Sequence, residues 1–356
     1  MHSKGINPIV SAVFVLLITI AGIGIVMNIG IPAIEETREK MMFGRAQDNI
    51  ETLDSEVISV KYGGEGSSVT VPMEVDQGTY TVNSTEDTLG FNYEMDTEFL
   101  PPEMCYMDGN TLIRTLGSGR VLDLRLNQEG DTVKDCSSYD NHGKLEEGVW
   151  THGIYGNSVD LTQDGHIKVP NHRSLNPPNG LSVSAWLNTD STDKASIINK
   201  STDQAGYLLG IDDEKLHWTV RNGEEYTTST EAVFEDWIFV VGTWNGDEIK
   251  IYIDGEEMGY EQAPGIVHTD SPLFIGPGLS GQLERVRIYN RGLGEDEIKT
   301  LSRRGGIGVP SRVEIKVWPE DINFISSIGL TRGRHSLLIS NRGIKYNKTK
   351  IEIESI

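Results

Sequence analysis

Residues 237–255 read WIFVVGTWNGDEIKIYIDG. An apolar run is followed by a polar break and then by Glu248-Ile249-Lys250-Ile251-Tyr252-Ile253, in which the side chains alternate. Alternation is the period-2 signature of a half-buried strand. Asp254-Gly255 directly after it is a hairpin signal, because that turn needs positive φ. The same grammar extends to both sides. LDLRL, NSVDL, GHIKVP, LSVSAWLN, ASIINK, YLLGI, KLHWTV and LERVRIYN are short β segments within residues 120–303, separated by turn residues that include Asn222-Gly223. Only EDEIKTLS, 295–302, carries a helix signal. Many short strands without helices between them predict a two-sheet sandwich.

Outside this block the β pattern returns in smaller groups. SSVTVPMEV, GTYTVNS and LGFNYEM precede it, closed by Pro101-Pro102, and RVEIKVWP, RHSLLISN and TKIEIESI follow it. Neither group is large enough to be stable alone. The economical reading is one small β domain interrupted by the sandwich.

The N-terminus is of another kind. From Ile6 to Ile34 there is no charged side chain, a run of 29 residues. At about 1.5 Å per residue it is long enough to cross a hydrocarbon core of about 30 Å. A cleaved secretory signal would have a shorter apolar region, about 7–15 residues, and a small-residue cleavage site. His2 and Lys4 lie before the run and Glu35 and Glu36 after it, so the bulk of the chain is expected outside the cell. Pro8 suits a first helical turn, and Pro32 predicts a kink near the outer surface. Beyond it, Met42, Ala46, Ile50, Leu53 and Val57 recur at spacings of four, four, three and four, one apolar stripe on a polar helix. The stripe needs a partner surface, either the chain's own β domain or neighbouring copies of the helix.

The 356 residues hold 53 acidic against 31 basic side chains, a net charge of -22. That charge argues against nucleic acid as a partner, since phosphate would be repelled. It leaves solubility or cation binding as its meaning.

Two resemblances bear on these segments. Lys4-Gly5 followed by INPIVSAVFVLLITIAG resembles archaeal type IV pilin-like proteins with a class III signal peptide. The resemblance implies cleavage by a prepilin peptidase between Gly5 and Ile6, and assembly with other pilin subunits through the helix. Residues LDLRLNQEGDTVKDCSSYDNHGKL, YGNSVDLTQDGHIKVPN, LSVSAWLNT, DWIFVVGTWNGDEIKIYIDGEEMG and LERVRIYNRGLGEDEIKTL resemble, in order, the LamG-like, concanavalin A-like jelly-roll family. That implies a sandwich used to bind glycans or other surface ligands, in some members with a calcium ion, and it does not imply catalysis. The expected organisation is a leader at 1–5, a hydrophobic then amphipathic helix at 6–60, a small β domain in two parts at 61–117 and 305–356, and the jelly roll at 118–304. A pilin-like adhesin at the cell surface, displaying a module for a surface glycan or protein ligand, is the leading reading. A membrane-anchored binding protein that never polymerises, and a surface glycan hydrolase, are the alternatives.

Candidate site residues follow from chemistry. Asp135, Asp140 and Asn141 are hard oxygen ligands of the type calcium takes, and Asp160 and Asp164 could join them; the competing reading is an Asx-rich turn bonded to its own backbone. Trp150, Tyr155, Trp218 and Tyr226 lie near strand ends and could stack on a sugar ring, or pack as edge and core residues. Trp186, Trp237 and Trp244 sit in apolar strands and are expected in the core. Retaining glycosidases need two carboxylates about 5–5.5 Å apart. The one alternating carboxylate triplet, Glu94-Met95-Asp96-Thr97-Glu98, lies outside the sandwich, so no catalytic residue is expected. Cys105 and Cys136 are the only cysteines; outside the cell they can form a disulfide or remain two thiols. Asn83, Asn199 and Asn347 each open a glycosylation sequon.

Overall fold

The computed structural model describes residues 31–94, 105–108, 110–126, 130–161, 165–190, 193–232, 234, 236–266, 268–303 and 310–356. Most of the uncharged run Ile6–Ile34 therefore lies outside the described residues, as do Gly5 and Ile6. Among the described residues no helix is long and apolar enough to cross a membrane. The chain divides into two compact units, Met1–Ile113 with Arg312–Ile356, and Arg114–Ser311.

The first unit is built on helix α1, Ile31–Gly63. Ala46, Ile50, Leu53, Val57 and Val60 are all buried. They recur on one face because three or four residues complete a turn, and they meet Val71, Phe91, Ile315, Leu337 and Ile353 in one core. The stripe is thus covered by the chain's own β domain. Full burial of each Ile, Leu or Val among them contributes about 1.5–3 kcal/mol. The end of α1 is closed by side chains. Ser67 Oγ donates to Val60 O at 2.6 Å, and Asn341 Nδ2 donates to Val60 O and Lys61 O. These bonds satisfy carbonyls that a helix terminus leaves open.

Two sheets complete this unit. In one, Ser68–Val75 pairs antiparallel with Gly333–Lys345, which pairs with Lys348–Ser355. In the other, Thr79–Asn83, Thr88–Glu94, Pro310–Val317 and Thr111–Gly117 lie side by side. Strands from before and after the insertion therefore share both sheets, the split domain that the short β groups imply.

The second unit is a two-sheet sandwich. Its first sheet runs Glu256–Gln262, Glu248–Ile253, Ile238–Trp244, Leu181–Thr189, Gly281–Tyr289, with Asn157–Asp160 and Arg120–Leu124 both pairing with Gly281–Tyr289. The second runs Glu225–Glu231, Lys215–Asn222, Ala205–Asp212, Ala195–Ser201, Leu273–Ile275, His166–Val169 and Gly143–Glu146. Val183, Ala185, Leu187, Val240, Leu209, Trp218 and Ile275 meet in the core between them.

The apolar run at 238–244 does not alternate, and the structure gives the reason. Ile238, Val240 and Trp244 face the inner core, while Phe239 and Val241 belong to a second cluster with Trp186, Tyr252, Tyr289 and Leu293. Ile298 and Leu301 of helix α2, Glu295–Arg303, cover that cluster. A strand covered on both faces reads as continuously apolar. Glu295, Asp296 and Glu297 fill the first turn of α2, where negative charge meets the positive end of the helix dipole. The Asp254-Gly255 hairpin forms, with φ of 51° and 93° at its two residues. Trp186 and Trp244 are buried, and Trp237 packs partly buried on the second cluster.

Candidate functional site

The acidic loop after strand Arg120–Leu124 is tied to its own backbone. Asp135 Oδ1 accepts from Asp123 N at 2.7 Å and Ser137 N at 2.9 Å. Its Oδ2 accepts from Ser137 Oγ at 2.6 Å and Asn141 N at 2.8 Å. Burial pushes the Asp135 carboxyl above the usual range, and these donors pull against it. Asp140 Oδ1 takes Arg114 Nη1 at 2.8 Å, and the same guanidinium also donates to Ser137 O. Asn141 Nδ2 donates to Val121 O and Ser174 Oγ, each at 2.8 Å. Calcium takes six to eight oxygens, and both Asp135 oxygens are already filled. The residues present do not fit the ion. Among the described residues, no group of three or more His, Cys, Asp or Glu could hold a metal. Asp160 stands on Asn157–Asp160 opposite Val149 and Gln282, and Asp164 lies outside the described residues. The loop is an Asx-rich turn that fastens the start of the sandwich.

Beside it, Asp123 is fully buried among guanidinium groups. Arg287 Nε reaches Oδ1 at 2.7 Å, Arg120 Nη1 reaches Oδ2 at 2.6 Å, and Arg125 lies 3.4 Å away. Burial alone would raise this carboxyl. Arg287, Arg120 and Arg125 outweigh it and hold the group well below the ordinary range. Lys200 is a third buried anchor, donating to Asn171 Oδ1, Thr269 O and Ser271 O at 2.7, 3.1 and 2.6 Å. Burial lowers its pKa to about 8, against the pull of Asp270.

The four aromatic candidates separate by exposure. Trp218 is corrected: it is 0% exposed, at the centre of the inner core, and no ligand reaches it. Its Nε1 donates to Thr243 O at 2.8 Å. Gly242 lies directly against it, where a Cβ would come within 2.4 Å of the indole. Trp150 is half-buried, donates Nε1 to Gly130 O at 2.9 Å and packs on the core edge. Tyr226 is half-buried too, its hydroxyl donating to Glu224 Oε2 at 2.8 Å. Tyr155 is 41% exposed.

Tyr155 sits in the turn between strands Val149–His152 and Asn157–Asp160, closed by a Gly153 N to Gly156 O bond of 2.7 Å. A carboxylate pins the turn from below. Glu284 Oε2 accepts from Ile154 N at 2.8 Å and Tyr155 N at 3.1 Å. Glu284 is 1% exposed, and burial raises its pKa against those bonds and the charge of Arg285. Gly153 lets the carboxylate approach closely, since a Cβ there would meet Glu284 Oε2 at 2.4 Å and displace it. The Tyr155 ring rests on Trp186, centroids 5.1 Å apart and planes at 65°. Arg285 lies over the Tyr155 ring at 5.0 Å from the centroid. The sequence pointed to Tyr155 and missed Glu284 and Arg285.

Residues 161–299 match the family model described as the concanavalin A-like lectin/glucanases superfamily. The inserted domain is a LamG-like, concanavalin A-like jelly roll. No curated protein matches the chain. Among solved structures, the binding domain of paraclostridial mosquitocidal protein 1 is 19% identical over 52% of each chain, with a TM-score of 0.45. The receptor binding domain of the botulinum neurotoxin C/D mosaic serotype is 20% identical over 52% of this chain and 51% of that one, with a TM-score of 0.44. The chain spans about half the length of these structures.

Cys105 and Cys136 are both in disulfide linkage and neither is a free thiol. The sequon asparagines differ in setting. Asn347 is exposed in a turn at φ 60°, Asn83 Oδ1 accepts from Thr85 N and Glu86 N, and Asn199 is half-buried with its side chain bonded to Ser196 and Ser201. Glu94 ends strand Thr88–Glu94 in the first unit, and Asp96 and Glu98 lie outside the described residues.

Proposed function

We propose that this chain is a pilin-like, cell-surface adhesin that displays the jelly roll as a ligand-recognition module, with a glycan as its ligand. The observation that carries the reading is a division of labour along the sequence. A 29-residue uncharged run at Ile6–Ile34 follows Lys4-Gly5 and leads into α1, whose apolar stripe is sealed by the small β domain. The lectin-like fold is a guest inserted into that domain. In this reading a prepilin peptidase cuts between Gly5 and Ile6, and the freed helix then packs in a filament with other subunits. Weak single contacts at the jelly roll gain avidity from repetition. In this reading the module binds its ligand and does not hydrolyse it.

The test is electron microscopy of sheared cell-surface material with N-terminal sequencing of the protein recovered. Filaments whose subunits begin at Ile6, and their loss on Gly5→Val, are the expected results. Uncleaved protein released only by detergent, with no filament, would replace the pilin reading by a monomeric surface anchor.

A further inference from the structure

The turn that carries Tyr155 sits where the first sheet of the jelly roll divides. Strand Gly281–Tyr289 pairs with Asn157–Asp160 only through Gln282 and Leu283, and with Arg120–Leu124 from Val286 onward. Glu284 and Arg285 fall between these partners. On the opposite side, pairing with Leu181–Thr189 shifts register between Ser184 and Trp186. Arg285 is the extra residue, and it adopts φ 52°, which a non-glycine residue in a central strand rarely does. Bulges of this sort re-aim a side chain and cluster beside binding sites. Strain at a single residue is a pointer to function when the surroundings enforce it.

The bulge turns Arg285 onto the Tyr155 ring and leaves Glu284 beneath the turn, its Oε1 at 3.7 Å from Arg285 Nε. A second observation is independent of this. Trp186, the ring against Tyr155, is 5% exposed, and its buried Nε1 has no hydrogen-bond partner among the described residues. A buried donor without an acceptor costs free energy, and this one is retained in the ring that backs the exposed Tyr155.

We infer that Tyr155, Arg285 and Trp186 form a subsite for an uncharged hexopyranose unit of a glycan. Tyr155 provides the stacking face, and Trp186 supports its ring from the core side. Arg285 is a positioning residue that holds the Tyr155 ring from its other side. The chemistry favours a neutral sugar over a uronate or sulfated one. The guanidinium is balanced locally by Glu284, and the chain as a whole carries -22, which repels polyanions. This inference rests on the glycan-binding reading proposed above and assigns the residues and the sugar class to it.

The experiment uses the full chain in a non-glycosidic detergent, with a soluble β-glucan, a mannan and the polyuronate alginate as probes. Affinity is measured by calorimetry and by the change in tryptophan fluorescence. At least one neutral polysaccharide should bind, with little dependence on salt. Tyr155→Ala should weaken that binding by about 10-fold or more, and Tyr155→Phe by less than about 3-fold, because the stacking face is retained. Trp186→Phe should weaken it by about 3–10-fold and lower thermal stability somewhat, since the smaller ring underfills the cluster that backs Tyr155. Arg285→Lys should retain more affinity than Arg285→Ala at equal stability, separating ring positioning from fold support. Neutral-glycan binding that survives Tyr155→Ala would overturn the subsite and leave the proposed function standing. Binding to alginate alone, lost in high salt, would overturn the neutral class. No binding to any probe would overturn the glycan reading and the subsite with it.

Discussion

Two loops of the jelly roll use one device to opposite ends. Asp135 and Glu284 are both nearly inaccessible carboxylates that accept hydrogen bonds from the backbone of a neighbouring turn. In both, burial pushes the carboxyl pKa up. Around Asp135 both oxygens are consumed, and the loop's side chains turn to Arg114, Val121 and Ser174. Around Glu284 the donors converge on one oxygen, and the turn they hold lifts an aromatic ring into solvent. Carboxylates crowd the first loop in the sequence, yet it is the second that presents an aromatic ring to solvent. What separates them is whether the tied turn leaves an open face.

That contrast can be broken at its strongest point first. Asp135→Ala removes the acceptor of four hydrogen bonds and leaves buried donors unpaired, so the jelly roll should lose about 3–5 kcal/mol in urea unfolding. A loss under about 1 kcal/mol would mean that the loop is not a fastening and would reopen it as a ligand site. Asp123→Asn comes next, with an expected cost of about 3 kcal/mol, since it leaves guanidinium groups buried without their counter-charge.

Asp123 also fixes a pH dependence. Its folded pKa is depressed, so its stabilising contribution is complete above the unfolded value, about 3.9. It is lost as pH falls through the lower, folded value. Stability should therefore fall below about pH 4, and the fall should be shallower in Asp123→Asn. Circular dichroism melts between neutral pH and strong acid check the sign.

Glu284→Gln should cost less, about 1–2 kcal/mol, because an amide oxygen can still accept from Ile154 and Tyr155. Hydrogen exchange at those two amides should speed up while the strand amides of Leu181–Thr189 stay protected. Tyr155→Ala should cost about 0.5–1.5 kcal/mol, the worth of the aromatic pair it makes with Trp186. A larger loss would show that the ring is a structural wedge. Smallest of all is the response to calcium. Chelator or added calcium should leave the melting temperature within about 1 °C, because an ion that does not bind the native state cannot stabilise it.

The sequence was legible where packing imposes a period. Glu248–Ile253 alternates because one face meets the core, and its hairpin residues are the pair that tolerates positive φ. The paired β groups at the two ends were equally plain. Strands Glu225–Glu231 and Glu256–Gln262 were not, because both are edge strands with little burial and hence no apolar rhythm to read. Trp218 was misplaced although the signal was present. Leu216 and Val220 flank it at two-residue spacing, and all three side chains enter the inner core. Arg285 did leave a mark: Leu283, Val286 and Ile288 all enter the inner core at spacings of three and then two, and the extra residue is the bulge. Glu284, between Leu283 and Arg285, reads as an ordinary surface acid until that break in period is noticed.

The two strands that lead into and out of the insertion, Thr111–Gly117 and Pro310–Val317, are neighbours in one sheet. Asn110 and Trp318 hold them together, with Trp318 N donating to Asn110 O and Asn110 Nδ2 to Trp318 O, each at 3.0 Å. A whole domain thus occupies the position of a hairpin loop. Lineages could exchange one cargo for another at this seam, or shorten it to a few residues, without rewriting the carrier's strand order. The molecule is built as a socket, and the jelly roll is its current plug.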